Sequence, residues 1–328
     1  MQIDRTVVES SRKDLKIVVS IYSLPANLRK NDNKRRGITL FLVHGSGFHK
    51  EIWEPIIQKL FSYKSSSWYV EKAIAFDAVN HGDSAILNRE KLANEHYTPW
   101  FIHARDIIAI VRQLQRQNIC LKSPQSIIGI GHSWGADALL LSESICPLTF
   151  SCLVATEAIL HLRFVQDHAY FAAVRKRRWT WKNEDDAKEY FTSRKFFNSW
   201  DKRCLELYIK HGMESVDGKL ALKCRPHNEA AVYAGGDYPA MYATLYLWKI
   251  RCPTAFLIGG KSVQCPFKYI SKITECMPDR RLSVMDNAGH LLVLENPDLA
   301  AEKYSLLLDE MVPRAHARLS LDICKAKL

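Results

Sequence analysis

The run SIIGIGHSWGADALLLSESI, residues 126–145, restricts this chain more than any other part of it. Its first five residues, SIIGI, carry three β-branched isoleucines and read as a short buried strand, while ADALLLSESI (136–145) reads as a helix. Gly131-His132-Ser133-Trp134-Gly135 therefore occupies a strand-to-helix turn. The glycines answer a steric need. A side chain presented at the apex of a sharp turn requires neighbours without a Cβ for close packing. A lone GxSxG pattern is weak, but a strand before it and a helix after it make Ser133 a candidate nucleophile.

Around this turn, short β-rich runs alternate with helical patterns, which predicts an α/β fold with a mostly parallel central sheet and covering helices. LKIVVSIYSL (15–24) reads as one or two strands, followed by a charged loop over 27–37. ITLFLVHGSG (38–47), AIAFDAVNHGDS (73–84), CLVAT (152–156), TAFLIGG (254–260) and RLSVM (281–285) supply further strands. Helices are expected over 103–117 and 297–311. From 160 to 250 the chain is aromatic-rich, helical in pattern and poor in strand signals, and it exceeds the length of a normal crossover. That predicts a helical cap inserted into one core: 1–159 and 251–312 form the core, 160–250 the cap and 313–328 a tail.

The nine cysteines are scattered, odd in number and form no CxxC pair, which argues against a zinc site or a disulfide scaffold. The most apolar stretch, 138–160, is interrupted by Glu143, Pro147 and Glu157, so no membrane span is expected. The N-terminal segment has no apolar core of the kind a secretory signal needs. A net charge of +11 raises the question of an anionic partner. The basic, tryptophan-bearing run RKRRWTWK (175–182) stands without any nucleic-acid-binding module, so it reads as a solvated helix face rather than a nucleic-acid site.

Two further features fall into order with Ser133. LVHGSG (42–47) ends a strand in a glycine-rich turn, where backbone N–H groups can face a developing oxyanion. The candidate donors are the amides of Ser46 and Trp134, with His44 itself structural. DNAGHLLVLENPD (286–298) places His290 after the last strand, as the candidate general base. Serine first, then an acid, then a late histidine is the chain order of a hydrolase triad.

LVHGSG, DAVNHGDSA (77–85), GHSWG and NAGHLLVLENPD together resemble the α/β-hydrolase fold over nearly the whole chain. The resemblance implies a serine esterase, lipase or thioesterase acting on a small-molecule acyl substrate, with NHGDS as a structural turn that leaves His81 outside the chemistry. Many members carry the triad aspartate after the next-to-last strand, where IGGKSVQCP (258–266) has Ser262. A serine cannot stabilise an imidazolium as a carboxylate does. Members with the acid one strand earlier point to Glu157, at the carboxyl end of CLVAT, where active sites of open α/β sheets form. Asp83, Asp286 or no acid at all are the alternatives, and Ser262→Ala is expected to lose little rate.

No metal and no organic cofactor are implied, because an activated serine performs acyl transfer by itself. Trp179, Trp181, Phe191, Phe196, Phe197 and Trp200 are candidate lining for an apolar acyl chain, although each singly reads better as cap core. The final Ala326-Lys327-Leu328 resembles a peroxisomal address read by a soluble import receptor. The combination is similar to fungal peroxisomal hydrolases, including lipases and enzymes encoded beside host-selective toxin pathways, which implies a role in secondary metabolism. Transacylation through the same serine and a non-catalytic ligand-binding protein on this scaffold remain open. An epoxide hydrolase or dehalogenase is disfavoured, because its elbow carries a carboxylate.

Overall fold

The computed structural model describes residues 1–25, 35–119, 127–162 and 168–325. Most of the charged 27–37 loop and the Ala326-Lys327-Leu328 tripeptide lie outside them. In chain order the strands are β1 (Gln2–Glu9), β2 (Lys16–Ser23), β3 (Arg36–Val43), β4 (Trp68–Phe76), β5 (Ile127–His132) and β6 (Cys152–Thr156). Three short strands follow, β7 (Thr180–Trp181), β8 (Met213–Val216) and β9 (Lys219–Leu222), then β10 (Thr254–Gly259) and β11 (Arg280–Met285).

Eight of these form one sheet in the order β1-β2-β4-β3-β5-β6-β10-β11. β1 and β2 pair antiparallel, as do β2 and β4, and every pair from β4 through β11 is parallel. Along β3, Leu40 and Leu42 enter one buried cluster while Phe41 and Val43 enter the other, so the period of two feeds helices on both faces. Strand order reverses between β3 and β5, because the chain runs outward to β4 before returning. Register then aligns three strand ends: Val43 pairs with Gly131, and His132 with Thr156. The residues just past those ends, His44–Gly47, Ser133 and Glu157, share one edge, where a switch in strand order leaves a crevice.

The segment between β6 and β10 is mostly helical, with helices at His168–Lys176, Glu184–Thr192, Lys202–Gly212, Pro226–Ala234 and Asp237–Leu245. It also holds a three-stranded antiparallel sheet, β7-β9-β8, in a stretch that looked poor in strand signals. A two-residue hairpin turn makes it: Val216 pairs with Lys219 across Asp217 (φ 49°) and Gly218 (φ 72°). Asp-Gly is the residue pair such a turn favours.

Trp181, Phe191 and Trp200 are buried in this segment against Tyr208 and one another, whereas Phe196 and Trp179 are exposed. The final helix runs Pro297–Lys325 without stopping at Pro313, so the described part of the 313–328 tail is helical. Burial carries it through, since Met311, Val312 and Ala315 all pack inward. Among the described residues, no helix is long and apolar enough to cross a membrane.

Candidate active site

Ser133 sits between β5 and the helix Trp134–Ile145 with φ 52° and ψ −127°, a strained backbone for a residue with a side chain. Two close approaches make the turn. A Cβ on Gly131 would lie 2.6 Å from the Gly135 carbonyl oxygen, and one on Gly135 would lie 2.4 Å from that of Val43. The Ser133 amide donates to the Thr156 carbonyl at 2.9 Å, fixing the turn to the end of β6.

His290 reaches Ser133 from the loop after β11. Its Nε2 lies 3.0 Å from Ser133 Oγ, and its Nδ1 lies 2.8 Å from Glu157 Oε2. The carboxylate accepts, so Nδ1 carries the proton and Nε2 is free to accept the Ser133 hydroxyl. Glu157 is fully buried and occupies the left-handed region at φ 53°. Its Oε1 accepts the Gly259 amide at 2.7 Å, and its Oε2 accepts the Ser262 hydroxyl at 2.5 Å. The alternative acids lie elsewhere. Asp83 is bound by Lys50 at 2.7 Å and Lys223 at 2.5 Å, while Asp286 is exposed.

The turn after β3 is shaped by two buried histidines. The Ala78 amide donates to His44 Nε2 at 3.1 Å, and His44 Nδ1 donates to the Gly45 carbonyl at 2.8 Å. Burial lowers His44 to about 4, so it is neutral. His81 Nε2 accepts the Gly47 amide at 2.9 Å, and burial holds its ring well below the usual histidine range. The Gly47 amide is thus engaged and cannot serve as an oxyanion donor, while that of Ser46 stays a candidate. The Trp134 amide opens its helix and so has no intrahelical acceptor. A Cβ on Gly45 would lie 3.3 Å from that of Ser133, which places this turn against the serine.

Three contributors had no functional reading in the sequence. His132 Nε2 donates to the His290 carbonyl at 2.8 Å, and burial lowers its ring to about 3. Asp137 Oδ2 accepts the Ile159 amide at 2.7 Å, just past Glu157. Phe48 packs on Trp200 and Tyr208, joining the turn after β3 to the segment between β6 and β10. Only Asp137, an ionisable residue within an apolar helix, left a trace in the sequence.

Among the described residues, one group of metal-capable side chains gathers: the ligand atoms of Glu157, Cys265 and His290 lie within 4.8 Å of one another. Hydrogen bonding accounts for it. Glu157 and His290 are bonded directly, and the Cys265 thiol donates to the Ala158 carbonyl at 3.2 Å. Burial, reinforced by the Glu157 charge, pushes that thiol well above its usual value and disfavours the thiolate a metal needs.

Comparison with known proteins agrees with this fold. The chain is 23% identical over 320 residues to "Peroxisomal membrane protein LPX1" of Saccharomyces cerevisiae, spanning 91% of this chain and 81% of that protein. The solved structure of the Saccharomyces cerevisiae peroxisomal alpha-beta-hydrolase Lpx1 superposes with a TM-score of 0.81 at 21% identity, covering 95% of this chain and 89% of that one. A "Type I acyl-CoA thioesterase mpaH" of Penicillium brevicompactum is 26% identical over 182 residues, which cover 53% of this chain and 39% of that protein. The family described as "Alpha/beta hydrolase family" matches residues 40–303, and this chain belongs to it.

Proposed function

We propose that this protein is a serine hydrolase cleaving an acyl ester or thioester, with Ser133 as nucleophile, His290 as general base and Glu157 as the acid that orients it. The observation that supports this reading is the unbroken hydrogen-bonded chain Ser133–His290–Glu157, at 3.0 and 2.8 Å. In the first step Ser133 Oγ bonds to the carbonyl carbon while its proton passes to His290 Nε2. The carbonyl oxygen becomes an oxyanion facing the amides of Ser46 and Trp134. Collapse breaks the bond to the leaving alcohol or thiol, which takes the proton from His290. Water, deprotonated by His290, then releases the acid from Ser133 and restores the resting state. The Glu157 carboxylate, which accepts from His290 Nδ1, stabilises the imidazolium.

Acyl-coenzyme A thioesters are the first substrate class to assay, since the Penicillium relatives are named acyl-CoA thioesterases. We place the enzyme in the peroxisome, a reading supported by the resemblance of Ala326-Lys327-Leu328 to a peroxisomal address and by the name of the Saccharomyces cerevisiae relative. A place in secondary metabolism rests on the resemblance of the motifs alone.

A fluorophosphonate probe tests the chemistry directly. Wild type should be modified at Ser133, Ser133→Ala should not react, and His290→Ala should react slowly. Glu157→Gln should lose about 10³–10⁴-fold in kcat on a p-nitrophenyl ester or acyl-coenzyme A. Wild-type protein that ignores the probe yet binds acyl ligands would be a receptor on a hydrolase scaffold.

A further inference from the structure

The loop that follows β10 does not touch His290 with a carboxylate, yet it holds the carboxylate that does. Gly259 N–H donates to Glu157 Oε1 at 2.7 Å, and Ser262 Oγ–H donates to Oε2 at 2.5 Å. Oε2 is the same oxygen that accepts His290 Nδ1–H at 2.8 Å. The Cys265 amide donates to Ser262 Oγ at 3.1 Å, which fixes the hydroxyl's orientation from behind. Glu157 needs such help, because its backbone is held in the left-handed region and a glutamate adds a further rotatable bond over an aspartate.

We infer that Ser262 is a positioning residue, which shares the Glu157 oxygen with His290 and sets both the geometry and the basicity of the Ser133–His290–Glu157 chain. This rests on the serine-hydrolase reading and revises the expectation that Ser262→Ala loses little. Two effects follow from removing the hydroxyl. Glu157 gains rotational freedom, so His290 is less often aligned with Ser133 and kcat falls. The carboxylate also loses a donor that favours its charged form, which raises its proton affinity and strengthens its hold on the imidazolium. His290 therefore protonates at higher pH, and the acid limb of the rate profile moves up.

The experiment compares wild type with Ser262→Ala and Ser262→Thr, reading kcat against pH and the low-field Nδ1–H proton resonance of His290. A hydrogen bond to a charged group supports a loss of about tenfold in kcat for Ser262→Ala. It should come with an upward-shifted acid limb and a resonance moved further downfield, and Ser262→Thr should restore all three. The double variant Glu157→Gln with Ser262→Asp should recover part of the rate lost by Glu157→Gln alone, because it returns a carboxylate to the same loop. An Ser262→Ala protein whose resonance and profile both match wild type overturns the proposal. A shifted resonance in a protein that hydrolyses nothing leaves the positioning role standing and removes the hydrolase reading instead.

Discussion

Asp137 and Ile159 are joined by a 2.7 Å hydrogen bond from the Ile159 amide to Asp137 Oδ2, which ties the first turn of the helix after Ser133 to the turn after Glu157. The carboxyl is fully buried, and its Oδ1 meets no hydrogen-bond partner among the described residues. Burial pushes Asp137 from 3.8 up to about 8, only partly opposed by the Ile159 amide. The folded state therefore holds a proton that the unfolded chain releases near pH 4. The stability Asp137 contributes is complete below that pH and is lost progressively as pH rises to about 8. Asp137→Asn keeps the acceptor and cannot ionise. Its melting temperature should match wild type near pH 4 and exceed it increasingly toward pH 8, by the equivalent of a few kcal/mol. A difference that does not change with pH would mean Asp137 is already ionised in the folded protein.

How much of this was legible in the sequence follows from how far each signal reaches. The Ser133 turn could be read because its glycines, strand and helix are contiguous. His290 and Glu157 stood out because each follows a recognisable strand, and the parallel register levels those strand ends. The bonds that hold them leave no local trace. His132 to the His290 carbonyl spans 158 residues, Gly259 to Glu157 spans 102, and Ser262 to Glu157 spans 105. Such contacts are set by strand order, which periodicity does not encode. Pro313 shows the converse: a local helix breaker sits inside a helix because Val312 and Ala315 remain buried against the core.

The β8–β9 hairpin is a case where the signal was present and outweighed by its surroundings. Asp217-Gly218 carries positive φ at both positions, while the flanking sequence is helical in pattern. A Cβ on Gly218 would meet nothing within 4 Å, so Gly218→Ala tests backbone conformation without a clash. The left-handed conformation costs a residue with a Cβ about 1–2 kcal/mol. Gly218→Ala should lower stability by that amount in denaturant titration, and Gly218→Asn, which tolerates the region better, should lose less. Equal losses for both would place the effect elsewhere than in φ.

The peroxisomal reading has an equally direct check. A receptor-read tripeptide is an address and not an anchor, so its removal should change location without changing the folded enzyme. Deleting residues 326–328 from a protein tagged at its N-terminus should convert a punctate pattern to a diffuse one, with hydrolase activity in the extract retained. Unchanged puncta would remove the tripeptide as the address.

Arg177 and Glu229 bear on the proposed oxyanion turn from the segment between β6 and β10. Arg177 Nη2 lies 2.7 Å from Glu229 Oε2, and a Cβ on Gly47 would lie 2.6 Å from Glu229 Oε1. A buried carboxylate thus sits directly on the turn that carries Ser46, where negative charge would oppose a developing oxyanion. Burial raises the Glu229 carboxyl, and Arg177 is the neighbour that opposes the rise and balances its charge. Arg177→Met leaves Glu229 unpaired, a change that costs about 3–5 kcal/mol of stability when the partner stays charged. The carboxyl can escape part of that penalty by taking up a proton, and it does so more readily at low pH. The ratio of variant to wild-type kcat should therefore be near one on the acid side and fall as pH rises and Glu229 ionises. Adding Glu229→Gln should flatten the ratio, because no charge remains to face the oxyanion. A ratio independent of pH in the single variant, or a double variant no better than it, would show that Arg177 acts through packing rather than through the charge beside Gly47.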